Sequence, residues 1–159
     1  MAADADLPRS GRLLGLDVGE RRIGVAVSDP DQGLALPVTT LSRGSGRELA
    51  ELTSLVREQE AVGLVVGLPV SLSGEEGEQA KRTREFARDL RERLNLPMAF
   101  WDERLSSQEA DRILAPSGRK GRLARGAARR PEKGATDLVA ATIILQAFLD
   151  SRRGRRFED

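Results

Sequence analysis

Residues 12–29, RLLGLDVGERRIGVAVSD, place two apolar runs on either side of a short polar turn, and this stretch decides the fold. Residues 12–18 and 22–28 are dominated by aliphatic side chains, which is typical of buried strands. The three residues from Gly19 to Arg21 have the length of a hairpin connection. A third candidate strand, residues 34–41, follows a turn at 30–33. The chain therefore begins with a predicted antiparallel meander of three strands.

The pattern then changes to alternating helices and strands. Apolar residues at helical spacing predict helices over 47–58 and 76–94, and the apolar run 62–67 predicts a buried strand between them. A fifth strand is predicted at 97–101, and helices at 106–114 and from 133 to about 150. This order predicts an α/β fold with a five-stranded mixed sheet, in which two parallel strands follow the meander and helices cover both faces. It matches the ribonuclease-H-like architecture.

The length of 159 residues suits one domain, which we expect to span residues 11–150. Residues 1–10 are acidic and lack the apolar segment of a signal peptide, so a disordered leader is predicted there. Residues 116–131 carry few large apolar side chains and predict a mobile basic loop, and residues 151–159 predict a disordered basic tail. No run approaches the roughly 20 apolar residues that cross a membrane. A cytoplasmic protein is expected.

Three residue types are missing from the chain, and their absence excludes several kinds of chemistry. Without Cys there is no disulfide or thiolate zinc site, and without His there is no Ser-His-Asp catalysis. Without Tyr there is no tyrosine-linked strand cleavage. Any catalyst here must work with carboxylates, Lys, Arg, Ser, Thr or backbone groups. If the protein is an enzyme, composition points toward a metal held by carboxylates, because hard oxygen ligands favour Mg²⁺ or Mn²⁺.

Asp17 is the most informative acidic residue because it interrupts the apolar run Leu13–Val18. An ionised carboxylate buried there costs several kcal/mol unless it is compensated, and a divalent cation compensates it effectively. The alternative is an Asp at a strand end that accepts hydrogen bonds in the turn at Gly19. The pattern alone leaves both interpretations open.

Three further acids stand at the ends of elements. Asp102 and Glu103 follow the fifth strand, and adjacent residues point to opposite faces, so only one of them is expected at a shared site. The alternative is an ion pair with Arg104 or a favourable position before a helix. Asp137 lies in the first turn of the last helix. The alternative to a functional role is a structural one, in which the helix dipole favours the Asp137 charge and Lys133 pairs with it.

Basic residues are concentrated towards the C-terminus, where they could neutralise phosphates. Residues 116–159 hold 11 basic and 5 acidic side chains, against 15 and 20 in residues 1–115. The loop contains no aromatic residue, so it suits backbone contacts rather than base stacking. An alternative is a general preference for arginine, with 23 Arg and 3 Lys in the chain. The candidate nucleic-acid-binding residues are Arg21, Arg22, Arg104, Arg119, Lys120, Arg122, Arg125 and Lys133.

Four segments of the chain resemble the YqgF/RuvX family of Holliday junction resolvases, which are related to RuvC. They are GLDVGERRIGVAVSD (15–29), VVGLPVSLSGEEGEQA (65–80), WDERLSSQEA (101–110) and KGATDLVAATIILQAFL (133–149). Each segment alone is weakly specific, but together they follow the family's order and spacing across nearly the whole chain. The basic stretch 116–130 departs from this resemblance.

The resemblance implies a ribonuclease-H-like fold with a carboxylate metal site. Its catalytic and metal-binding residues would be Asp17, Glu103 and Asp137, with Asp102 as the alternate, holding two Mg²⁺ or Mn²⁺ ions. The implied reaction is phosphodiester hydrolysis in structured nucleic acid, either a four-way DNA junction or the 5′ end of precursor 16S ribosomal RNA. A symmetric junction would favour a homodimer. Two alternatives stay open, namely an ATP-binding protein of the actin-like superfamily and a non-catalytic nucleic-acid-binding or transcription factor.

Overall fold

Five strands form one mixed sheet in the computed structural model, which describes residues 7–71, 73–105 and 133–158. The strands are β1 (Leu13–Val18), β2 (Arg22–Ser28), β3 (Ala35–Ser42), β4 (Gly63–Leu68) and β5 (Met98–Asp102). They lie in the order β3-β2-β1-β4-β5, with β1, β2 and β3 antiparallel and β4 and β5 parallel to β1. The predicted meander and the mixed sheet are confirmed.

Helices cover both faces of this sheet, as predicted. They are α1 (Glu48–Gln59), α2 (Glu78–Leu94) and α3 (Lys133–Glu158). One apolar cluster joins Leu16 to Leu52 of α1 and Phe86 of α2, and a second joins Leu13 to Leu145 of α3. Strand alternation explains this division, because neighbouring residues of β1 face opposite layers. Within the described ranges, none of these helices combines the length and apolarity that a membrane crossing requires.

The last helix is longer than its sequence indicates, and the prediction of a disordered tail is wrong for residues 151–158. Arg152 explains part of this difference, since its side chain is buried against the start of the chain. Its guanidinium donates hydrogen bonds to the carbonyl oxygens of Leu7 at 2.9 Å and Pro8 at 3.2 Å. It also lies 5.4 Å from the ring centroid of Phe148. Arg152 lies in the segment predicted to be a disordered basic tail, but it is buried and connects α3 to the start of the chain.

The predicted leader is also shorter than expected at its C-terminal end. Leu7 is only 3 % exposed and belongs to the apolar cluster beneath α3. Leu7 is thus packed rather than disordered, because removing its apolar side chain from water holds it in place, whereas Arg9 and Ser10 are exposed. Residues 1–6, the predicted helix 106–114 and the predicted loop 116–131 lie outside the described residues.

Candidate functional site

Asp17 lies near the C-terminal end of β1 and points towards the α3 layer. Leu16 and Val18 belong to the opposite cluster, so strand alternation puts Gly15 and Asp17 on the face that α3 covers. Gly15 confirms this direction, because a Cβ there would meet the side chain of Leu145. The carboxylate of Asp17 is therefore held at the edge of an apolar layer rather than in open solvent.

The same alternation decides which of the two acids at the end of β5 can reach Asp17. Ala99 and Trp101 pack in the cluster beneath α3, so the next residue in that series is Glu103 rather than Asp102. The Glu103 side chain lies over Gly67 of β4, where Oε1 would be 3.0 Å from a Cβ. It is hydrogen-bonded to the carboxylate of Asp17. The structure thus brings Asp17 and Glu103 together across β4.

Asp102 is directed to Arg104 instead. The Arg104 guanidinium donates to Asp102 from Nε at 3.1 Å and from Nη2 at 2.6 Å, and the Arg104 backbone N–H donates to Oδ1 at 2.9 Å. These bonds hold the pKa of Asp102 below its usual range. The ion pair that the sequence offered as an alternative is therefore formed, and it involves the acid that does not face Asp17.

Asp137 approaches from the first turns of α3. The helix crosses β2 so closely at Gly24 that a Cβ there would clash with the backbone of Asp137. Gly24 is the residue of β2 paired with Asp17 in the sheet. Because of this contact the start of α3 lies beside Asp17, and the charge of Asp137 raises the pKa of Asp17.

The pair formed by Asp17 and Glu103 carries strongly shifted protonation equilibria. Burial is the main cause that raises the pKa of Asp17 to about 6, with the charge of Asp137 adding to it. Burial and then the charge of Asp17 raise the pKa of Glu103 to about 7. Both pKa values are raised and the two carboxyls are hydrogen-bonded to each other, so the pair holds one proton in common at pH values where an exposed pair would have lost both.

Asp17 and Glu103 are hydrogen-bonded to each other, whereas Asp137 acts on Asp17 only through its charge. In residues 7–71, 73–105 and 133–158, no three acidic side chains are grouped closely enough to hold a metal ion. The compact unit is the pair of Asp17 and Glu103, with Asp137 acting on it through its charge. Repulsion between carboxylates opposes a tighter cluster unless a cation neutralises them.

An open groove of about 400 Å³ lies beside Asp137, with neither Asp17 nor Glu103 in its lining, and we call it the acid-side groove. Its lining consists of Gly19, Glu20, Arg21, Arg22, Thr136 and Asp137. Two predicted phosphate-binding residues, Arg21 and Arg22, thus share a groove with a predicted catalytic acid. A guanidinium suits a phosphate because its planar donors match two phosphate oxygens.

The other predicted nucleic-acid-binding residues are placed differently. Arg104 is committed to Asp102, so it is not an open cation beside the groove. Lys133 begins α3, and the structure gives no account of its side chain. The remaining candidates, Arg119, Lys120, Arg122 and Arg125, lie outside the described residues.

Two glycines that make the site possible were not recognised from the sequence as site residues. Gly24 admits the α3 backbone, and Gly67 leaves room for both Glu103 and Ile144. At Gly67 the space that a side chain would fill is occupied in part by the Glu103 carboxylate. The available signal was a glycine inside a buried strand, which often marks a close approach of another chain segment.

The fold matches solved resolvase structures. A Thermus thermophilus RuvC structure described as in complex with a Holliday junction substrate aligns with a TM-score of 0.57 at 14 % identity, covering 91 % of this chain and 96 % of that one. The yeast mitochondrial Holliday junction resolvase Ydc2 aligns with a TM-score of 0.55 at 13 % identity, covering 98 % and 86 %. These likenesses confirm the ribonuclease-H-like fold.

Comparison with the sequences of known proteins identifies the family of this chain more specifically than the fold does. Curated relatives named "Putative pre-16S rRNA nuclease" include those of Rhodobacter capsulatus, 44 % identical over 92 % of this chain and 87 % of the relative, and Roseiflexus sp., 42 % identical over 90 % and 96 %. The family model RuvX, described as Holliday junction resolvase, matches residues 11–151. This chain belongs to the RuvX family.

Proposed function

We propose that this protein is a metal-dependent nuclease that hydrolyses phosphodiester bonds with Asp17, Glu103 and Asp137. The observation that carries the proposal is the buried, hydrogen-bonded carboxylate pair of Asp17 and Glu103, with the charge of Asp137 close enough to act on it. Such a pair is costly to keep in a fold by itself, because burial and mutual repulsion both oppose ionisation. Membership of the RuvX family supports the same conclusion.

The donor set fits Mg²⁺ or Mn²⁺. Asp17 and Glu103 offer carboxylate oxygens whose ionisation is disfavoured by burial, so a cation that replaces the shared proton relieves an unfavourable arrangement. Asp137 is the third carboxylate that would hold the ion. When bound, the metal would lower the pKa of the attacking water and stabilise the leaving oxygen.

The chain's own residues prepare the site in three ways. A proton shared by Asp17 and Glu103 keeps the two buried carboxylates from repelling each other before a cation binds. The short contact at Gly24 sets the position of Asp137 relative to β1. Arg21 and Arg22 line the groove beside Asp137, where they would bind the phosphate next to the reacting one.

Two substrates are consistent with this chemistry, and we infer that precursor ribosomal RNA is the first to test. Relatives at 42–46 % identity carry the name "Putative pre-16S rRNA nuclease", whereas the RuvC structure bound to a junction is only 14 % identical. A four-way junction is the second substrate, because the family model is described as Holliday junction resolvase. Symmetric cutting of a junction would require two active sites, so it predicts a homodimer on the substrate.

The test offers the purified protein a precursor 16S rRNA 5′ leader, a four-way DNA junction and a linear duplex of matched length. We expect cleavage of a structured substrate with Mn²⁺ or Mg²⁺ and none with EDTA. Mass measurement of the complexes then separates a dimer on a junction from a monomer on RNA. Binding of every substrate without cleavage under any metal would refute the proposal and would favour a non-catalytic binding protein.

A further inference from the structure

We propose that a second groove, across the Gly19–Arg21 turn from the acids, binds the phosphodiester backbone of the substrate strand beyond the cleavage point. The inference rests on the proposed nuclease function. This outer groove has a volume of about 260 Å³, and its polar lining comes from Glu20, Arg43, Gln79, Arg82 and Thr83. It lies between the β1–β2 turn, the end of β3 and the first turns of α2.

The two grooves adjoin at the turn, because they share two lining residues. Gly19 and Glu20 line both of them, while Asp137 lines only the acid-side groove and Arg82 only the outer groove. A strand whose reacting phosphate lies beside Asp137 can therefore pass over the turn and place a neighbouring phosphate in the outer groove.

Arg43 is held in place as a cation at the inner wall of the outer groove. Its Nη1 donates to the carbonyl oxygen of Gly19 at 2.8 Å, and its guanidinium carbon lies 5.2 Å from the ring centroid of Phe86. Its backbone N–H donates to the carbonyl of Arg21 at 2.8 Å, which ties it to the same turn. A guanidinium already fixed in this way loses little conformational entropy when it binds an anion.

Arg82 supplies a second cation at the outer wall. It lies 3.6 Å from Glu20, with 59 % and 70 % of the two side chains exposed, so this ion pair adds little stability. A phosphate entering the groove would take the place of Glu20 beside Arg82. Glu20 consequently opposes substrate binding, and removing its charge should strengthen it.

The lining favours a sugar–phosphate backbone over a base or a free nucleotide. The aromatic ring at this position, that of Phe86, has its face covered by Arg43 and is itself buried. Among the described residues that line the groove there is no aromatic side chain on which a base could stack. Recognition by cations without stacking is typical of backbone contacts, which position a nucleic acid without reading its sequence.

The test measures binding of a fluorescein-labelled precursor 16S rRNA 5′ leader by fluorescence anisotropy, in EDTA so that cleavage does not interfere. We expect Arg82→Ala to weaken binding about three- to tenfold and to reduce the slope of log Kd against log salt by about 0.7–0.9. We expect Glu20→Gln to strengthen binding about two- to fivefold, an effect opposite to that of losing a structural ion pair. Arg88→Ala is the matched control, because Arg88 is exposed on a different side of α2.

Three results would overturn the inference. They are an Arg82→Ala variant that binds like the control, a Glu20→Gln variant that binds no better than the wild type, and equal competition by a mononucleotide and by an oligonucleotide. Arg82 and Glu20 are exposed, so both variants are expected to fold, and thermal melting verifies this. Binding is measured without cleavage, so the predicted shifts in a protein that cuts nothing would support this groove while refuting the nuclease.

Discussion

Replacing Glu103 by Gln should stabilise the metal-free protein at alkaline pH. Both Asp17 and Glu103 have pKa values raised above their ordinary 3.8 and 4.5, to about 6 and about 7. For acids shifted upwards, the folded state holds protons that the unfolded chain has already released, so the free energy of unfolding falls as pH rises from about 4 to about 7. Gln carries no charge, and its amide N–H can still donate to Asp17.

The size of the effect follows from the shift of Glu103. A rise from 4.5 to about 7 corresponds to about 3 kcal/mol at 1.36 kcal/mol per pKa unit. The carboxyl is partly open to solvent, and screening reduces the expected gain for Glu103→Gln to about 1–2 kcal/mol at pH 8. Near pH 4.5 the wild type is already protonated, so the two proteins should be almost equally stable.

The assay is urea unfolding at pH 4.5 to 8.5 in EDTA, followed by the fluorescence of Trp101, the single tryptophan of the chain. The matched control is Glu85→Gln, on the exposed side of α2. We expect the stability of the Glu103→Gln variant to change less with pH than that of the wild type or the control. Parallel pH profiles for all three proteins would refute the coupled carboxylate pair.

Three other predictions follow from the same geometry. Mn²⁺ binding near pH 6.5 should release about one proton from the wild type and clearly less from Glu103→Gln, in which only Asp17 can still lose one. Calorimetry in two buffers of different ionisation enthalpy measures this release, and equal release would exclude the shared proton. Gly24→Ala should destabilise the protein by about 1–3 kcal/mol, because the new Cβ would meet the backbone of Asp137. The control is Gly154→Ala, which should be neutral or stabilising because nothing lies within 4 Å of its Cβ, and thermal melts compare the two. Asp102→Asn should lower cleavage less than about tenfold, since it removes only a partly exposed ion pair; a loss as large as that of Glu103→Gln would contradict the assignment.

The sheet was predictable from the sequence because its strands are short, apolar and separated by recognisable turns. Residues 12–29 alone indicated the hairpin, and the later alternation of helix and strand indicated the parallel part. Boundaries differ by one or two residues for most elements. The large error is the C-terminal helix, where a run of arginines indicated a solvated tail although Arg152 is buried against Leu7 and Pro8.

The site was only partly predictable, for a physical reason. Strand alternation showed that only one of Asp102 and Glu103 could face a shared site, but choosing between them required knowing which face of β5 lies beneath α3. Likewise, Arg43 and Arg82 are far apart in the sequence and carry no motif. Only the packing of α2 against the β1–β2 turn brings them to one groove.

We propose that Asp17 and its neighbours would hold the divalent cation that phosphodiester cleavage requires. It is tested most directly by single-turnover cleavage with Mn²⁺ at saturating protein, comparing the wild type with Asp17→Asn. We expect the cleavage rate to fall at least roughly 100-fold while the Kd for substrate stays within a factor of about two. Cleavage by Asp17→Asn at the wild-type rate would contradict the claim.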